Sequence, residues 1–197
     1  LQTIFDKFWG QKMAWIKTIE PADAKDDLQK IYQAIFEKRG KVANVMKAQS
    51  LNPEALKLHM DLYEIVMFGK SGLSREEREI AAVIVSAANK CNYCIVHHGE
   101  ALNQYWRDEE KLLRLVEDHR SAGLSEREIA IVEYAHKLTV KPNRVGEDEI
   151  TALREAELTD EDILTLNLLI SYMNFANRII SGLGVEFDPE EAQGYKY

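Results

Sequence analysis

The sequence predicts an all-α fold, and three observations carry that prediction. Glycine and proline are scarce, 10 and 4 in 197 residues, which leaves few of the turns that many short strands would need. Apolar residues recur at the spacing of a helix face, as in Leu28, Ile31, Tyr32 and Ile35. Three stretches carry a capping box, in which a hydroxyl caps a first-turn amide and an acidic side chain three residues on reaches back: Ser74 with Glu77, Ser125 with Glu128, and Thr159 with Asp162.

Taken in order, residues 1–12 mix Phe5, Phe8 and Trp9 with charges and suit a short amphipathic turn. A helix is expected over residues 21–38, opened by Pro21 and stopped by Gly40. A short segment over residues 42–50 leads to Asn52-Pro53, an N-cap and first-position pair for a helix to about Phe68. Leu58, Leu62, Ile65 and Val66 are expected on its buried face. Gly69 and Gly72 bracket a turn before Ser74 opens a central helix, apolar almost all round over residues 80–88. A second helix carries both cysteines to about Tyr105, and another covers residues 108–118 before Gly123. Ser125 opens a helix to about Thr139, residues 141–146 form a loop, and residues 147–155 a short helix. Thr159 starts the apolar run 163–180. From Glu186 the chain reads as a polar tail, or as an arm that packs on a partner.

The totals bound the function. A chain of 197 residues can bury a sizeable core without disulfides. The net charge of −8 argues against nucleic acid and anionic membrane surfaces as partners, because phosphates reward basic patches. No apolar run is expected to reach the length of a membrane span, and no signal peptide is expected. Two cysteines spaced C-x-x-C are too few for a secreted disulfide framework and suit a reducing, cytoplasmic setting.

The chemistry concentrates in residues 79–98, which hold both cysteines, two of the five histidines, and Glu79 twelve positions before Cys91. On a helix each residue advances about 100°, so Cys94 falls about 60° and His98 about 20° from Cys91, with His98 between the sulfurs. His97 lies off to the side of that stripe, and Tyr93 points largely away. A chain break near Asn89-Lys90 would put Cys91 at a helix N-terminus and Cys94 in its first turn, where unpaired amides favour the thiolate. The imidazole can then take and return protons, and a sulfenic acid on one sulfur can condense with the other. Glu79, on a neighbouring antiparallel helix, could orient His98.

Other readings of these residues stay open. Glu79 alone reads as a first-turn carboxylate favoured by the helix dipole. Cys91, Cys94, His97 and His98 are four soft ligands, but one helix cannot present all four tetrahedrally, so no metal is expected. The two cysteines could also be inert core residues.

An internal repeat shows at an offset of 85, where residues 73–99 align without gaps on residues 158–184. Leu73, Asn89, Asn92 and Gly99 meet the identical Leu158, Asn174, Asn177 and Gly184. Leu164, Ala176, Ile179 and Leu183 stand where Glu79, Cys91, Cys94 and His98 stand in the first copy.

Glu79, eleven residues, Cys91-Asn92-Tyr93-Cys94, three residues and His98 together resemble the signature of the alkylhydroperoxidase D (AhpD) family, within the carboxymuconolactone decarboxylase-like superfamily. The rest of the chain also resembles the subgroup called peroxidase-related, and the likeness covers about residues 15–185. It implies one AhpD-like all-α domain with a duplicated helical unit: a first unit over about 21–105 with the C-x-x-C site, an inert second unit over about 124–185, and a tail over 186–197. It implies an antioxidant, thiol-dependent peroxidase in which Cys94 attacks hydrogen peroxide or an organic hydroperoxide and Cys91 resolves it as a redox-active disulfide. His98 and Glu79 would relay protons, with Tyr93 and His97 in secondary positions. No cofactor is implied. The implied partners are a hydroperoxide substrate, a dithiol reductant such as a lipoyl carrier protein, and further copies of the chain in a homo-oligomer, a trimer or hexamer. Decarboxylase relatives lack this cysteine pair. The alternatives are a dithiol–disulfide oxidoreductase or a redox sensor on the same scaffold.

Overall fold

A computed structural model of the protein describes residues 13–187. The readings for residues 1–12 and for the tail beyond Phe187 lie outside the described residues. The described chain is helical, with no strand: α1 Asp26–Arg39, α2 Asn44–Lys47, α3 Pro53–Phe68, α4 Arg75–Ala88, α5 Asn92–Trp106, α6 Glu109–Asp118, α7 Glu126–Val140, α8 Glu147–Glu155 and α9 Asp160–Leu183.

The punctuation in the sequence sets most of these boundaries. All three capping boxes form, at Ser74, Ser125 and Thr159, and open α4, α7 and α9. Asn52 caps α3 by accepting from the Ala55 amide at 3.1 Å, with Pro53 first in the helix. Gly40 closes α1 at φ 83°, a left-handed conformation that glycine adopts without steric cost. The opening of α1 differs from expectation. Pro21–Asp23 form a separate 3-10 turn, and α1 begins at Asp26.

α4 is the hub. Ile80, Ala81, Ala82, Val83 and Val85 have no exposed surface, because α5, α7 and α9 surround the helix and leave no polar face. Its start lies beside the start of α9, where the Gly72 amide donates to Asp162 at 2.6 Å. A side chain at Gly72 would meet that carboxylate at 2.7 Å, so Asp162 would have to shift to admit one. Its end also meets α9: the Asn89 side chain donates to Asn174 and Asn177, each at 3.0 Å. The two helices therefore run in the same direction, and Asn89 touches the asparagine 85 residues away that aligns with it. The aligned segments differ in form, however. The first breaks at Lys90, φ 57°, whereas α9 runs unbroken through the corresponding position.

Two expectations fail. Of the four residues expected on the buried face of α3 only Val66 is buried, with Leu56, His59, Met60 and Met67, while Leu58 and Ile65 are 61% and 64% exposed and Leu62 is exposed as well. α3 carries apolar residues on two faces, and periodicity alone does not say which one meets the core. The second concerns membrane length. α9, at 24 residues, is long and apolar enough to cross a membrane, yet half of its apolar stretch is buried inside the bundle. Leu166, Leu169, Ile170 and Met173 are its core contribution.

The core has two parts. The larger surrounds α4. The smaller joins α1, α2 and α3 to Cys91, Tyr93, Cys94 and Ile180, so the cysteines sit where the first third of the chain folds over the α4–α5 pair.

Candidate active site

The site is built at the break between α4 and α5. Lys90 in the left-handed region turns the chain, and the Cys91 amide closes the turn on the Ser86 carbonyl at 2.9 Å. Cys91 is the N-cap of α5 and Cys94 lies in its first turn. The two are joined as a disulfide, with Cα atoms 5.4 Å apart, and both are 3% exposed. A thiol in this position, once reduced, sits against unpaired helix amides that favour its anion.

α4 and α5 pack antiparallel, which carries Glu79 to His98. The Glu79 Oε2 to His98 Nδ1 distance is 2.7 Å, and Glu79 is fully buried. Its other oxygen, Oε1, accepts from Arg75 one turn earlier on the same helix. Burial by itself would raise the carboxyl pKa. The charges and hydrogen bonds of His98 and Arg75 outweigh it and hold Glu79 below the ordinary carboxylate range. An ionised carboxylate only accepts, so Nδ1 of His98 carries the proton. In the neutral imidazole Nε2 is then the nitrogen with a lone pair, the form a general base requires.

A cavity of about 110 Å³ lies against these groups. Of the two cysteines only Cys94 lines it, together with Glu79 and His98. Tyr93 and His97 line it too, contrary to the expectation that Tyr93 points away from the stripe and His97 to its side. Their rings stack at 4.1 Å between centroids, and the Tyr93 hydroxyl accepts from the Val45 amide at 3.3 Å. Helical phase places a side chain relative to its own helix only. Here α1 and α2 fold over α5 and extend the cavity across a second face.

Sequence reasoning missed several groups. Arg75 had a visible signal, the i, i+4 spacing to Glu79. Arg39, Tyr63, His59 and Tyr172 had none, because three separate helices bring them to the cavity. The Tyr63 hydroxyl accepts from Arg39 at 3.0 Å, and Arg75 stacks 3.9 Å over Phe68. His59 is held on both sides, by Gln49 at 2.9 Å and the Tyr172 hydroxyl at 2.7 Å. The Gln49 amide nitrogen donates to the Val45 carbonyl, so its oxygen faces His59. His59 therefore donates from Nδ1 and accepts from Tyr172 at Nε2. Burial lowers its pKa to about 4, and it stays neutral as a structural link.

Comparison with known proteins gives four consistent findings. The family model described as carboxymuconolactone decarboxylase family matches residues 53–137, a stretch that contains Glu79, both cysteines and His98. An uncharacterized peroxidase-related protein from Silicibacter sp. TM1040 is 32% identical, with a TM-score of 0.84 over 95% of this chain and 98% of that one. A second solved structure, described as an alkylhydroperoxidase AhpD core and peroxidase-related protein from Ralstonia eutropha JMP134, is 26% identical. Its TM-score is 0.84, over 95% of this chain and 100% of that one. Uncharacterized protein YdfG from Bacillus subtilis (strain 168) is 26% identical over 132 residues, which is 67% of this chain and 88% of YdfG.

Proposed function

The chain belongs to the alkylhydroperoxidase D-like group of the carboxymuconolactone decarboxylase superfamily, and on that premise we propose that it is a thiol-dependent peroxidase acting on hydrogen peroxide or organic hydroperoxides in antioxidant defence. One observation carries the reading. Cys94 shares its cavity with His98, whose Nδ1 is held by the buried Glu79 carboxylate 2.7 Å away.

In this reading the reduced Cys94 gives its proton to Nε2 of His98, and the thiolate attacks the outer oxygen of the hydroperoxide. The O–O bond breaks and a sulfur–oxygen bond forms. The leaving alkoxide takes the proton from His98 and departs as the alcohol, or as water when the substrate is hydrogen peroxide. Cys94 is left as a sulfenic acid. The Cys91 thiol then attacks the Cys94 sulfur, the S–S bond forms and water leaves. The closed Cys91–Cys94 disulfide is the product of that cycle. A dithiol reductant, by the family resemblance a lipoyl group on a carrier protein, returns two electrons through a mixed disulfide. A cytoplasmic setting would supply that reductant. The resemblance also implies a homo-oligomer.

The test is peroxide consumption with dihydrolipoamide or dithiothreitol as reductant. Full activity in Cys94→Ser would overturn the assignment. A second reading, dithiol–disulfide exchange, draws on the same closed disulfide. It predicts fast exchange with disulfide substrates and slow turnover with every peroxide.

A further inference from the structure

The cavity beside Cys94 has more chemistry than a small peroxide needs. Ile35, Met46, Met60 and Ile180 give it apolar walls drawn from four helices. Its charged lining is Arg39, Lys41, Arg75 and Glu79. Glu79 is fully buried with both oxygens engaged, by Arg75 and by His98, so it offers the cavity no open carboxylate. Arg75 is in turn neutralised by Glu79.

Arg39 is the group that stands out. It is half-buried at the end of α1, donates to the Tyr63 hydroxyl at 3.0 Å, and lies over the Tyr63 and Phe68 rings at 5.3 and 5.0 Å. Among the described residues no carboxylate pairs with it. The rings and the hydroxyl fix the direction of the guanidinium without neutralising it. Tyr63 takes one of five N–H donors, and the planar fork that remains matches a carboxylate.

We propose that the site takes an organic hydroperoxide with an apolar body and a carboxylate group. The carboxylate pairs with Arg39, the body lies along Ile35, Met46, Met60 and Ile180, and the hydroperoxide reaches Cys94. The chemical step is the one described above, and the carboxylate passes through it unchanged. The substrate assignment rests on the peroxidase reading, whereas anion binding at Arg39 can be tested without turnover.

The experiment is calorimetric titration of the disulfide form of the full chain with decanoate and with methyl decanoate, below the micelle concentration. Decanoate is expected to bind at least about tenfold tighter than the ester, because only the acid makes a charge-assisted pair. Arg39→Met should erase that difference, and Arg39→Lys should keep part of it. Equal affinity for acid and ester in the wild type, or a preference that survives in Arg39→Met, would overturn the proposal. A matching pair of hydroperoxides, one a free acid and one its methyl ester, should show the same ranking in kcat/KM. Decanoate selectivity in a protein that consumes no peroxide would sink the peroxidase reading and leave the anion site standing.

Discussion

His98 donates its Nδ1 proton to Glu79 across the α4–α5 pair at 2.7 Å, and Arg75 donates to the other oxygen of the same fully buried carboxylate. The carboxylate thus fixes one tautomer of the imidazole and is itself kept ionised. Both effects depend on the charge of Glu79, not only on its shape.

Glu79→Gln separates charge from shape. An amide can donate to Nδ1 as readily as it accepts, so the imidazole loses its fixed tautomer. Peroxide turnover should fall by about tenfold or more, and its pH profile should shift, because general-base catalysis contributes on the order of 10²–10⁴. An unchanged profile with dihydrolipoamide as reductant would remove Glu79 from the proton path.

Cys91→Ser should divide the cycle. Cys94 can still attack, so one equivalent of peroxide should be consumed and a sulfenic acid should persist, trapped by dimedone and read by mass spectrometry. Multiple turnover at the wild-type rate would show that Cys91 does not resolve the intermediate.

Arg75→Met should destabilise the fold more than a surface change would. It leaves a fully buried carboxylate with one of its two partners, and breaking a buried pair costs about 3–5 kcal/mol. Urea denaturation measures the loss. A change under about 0.5 kcal/mol would show that Glu79 does not depend on Arg75.

His59 should make stability sensitive to mild acid. Its pKa is about 4 in the fold against 6.5 unfolded, so between those values the unfolded chain binds the extra proton. The stability His59 contributes is complete above pH 6.5 and is lost as pH falls towards 4, by on the order of 3 kcal/mol in total. Glu79 adds to the same trend at lower pH, since its folded pKa is depressed and its contribution fades as pH drops through that value. Denaturation curves between pH 7.5 and 4.5 should show the slope, and His59→Gln should flatten its upper part.

Much of the fold was legible because its signals are local. Capping boxes at Ser74, Ser125 and Thr159, the Asn52-Pro53 pair and Gly40 act within one turn of the residue that carries them. The α3 face was misread for the opposite reason. Leu58, Leu62 and Ile65 keep helical spacing as well as Leu56, Met60 and Met67 do, and only the neighbouring helices decide which set is buried.

The site divides along the same line. The i, i+4 spacing of Cys94 and His98 within one helix already put a sulfur and an imidazole on one face, because helical geometry is set by the backbone alone, whereas Cys91 is the N-cap and lies outside that regular geometry. The reach of Glu79 to His98, the opening of Cys94 rather than Cys91 to the cavity, and the arrival of Arg39, Tyr63, His59 and Tyr172 belong to the tertiary structure. Those contacts join residues from separate helices. Their distances follow from how α1, α3 and α9 pack on the α4–α5 pair, which no local pattern in the chain encodes.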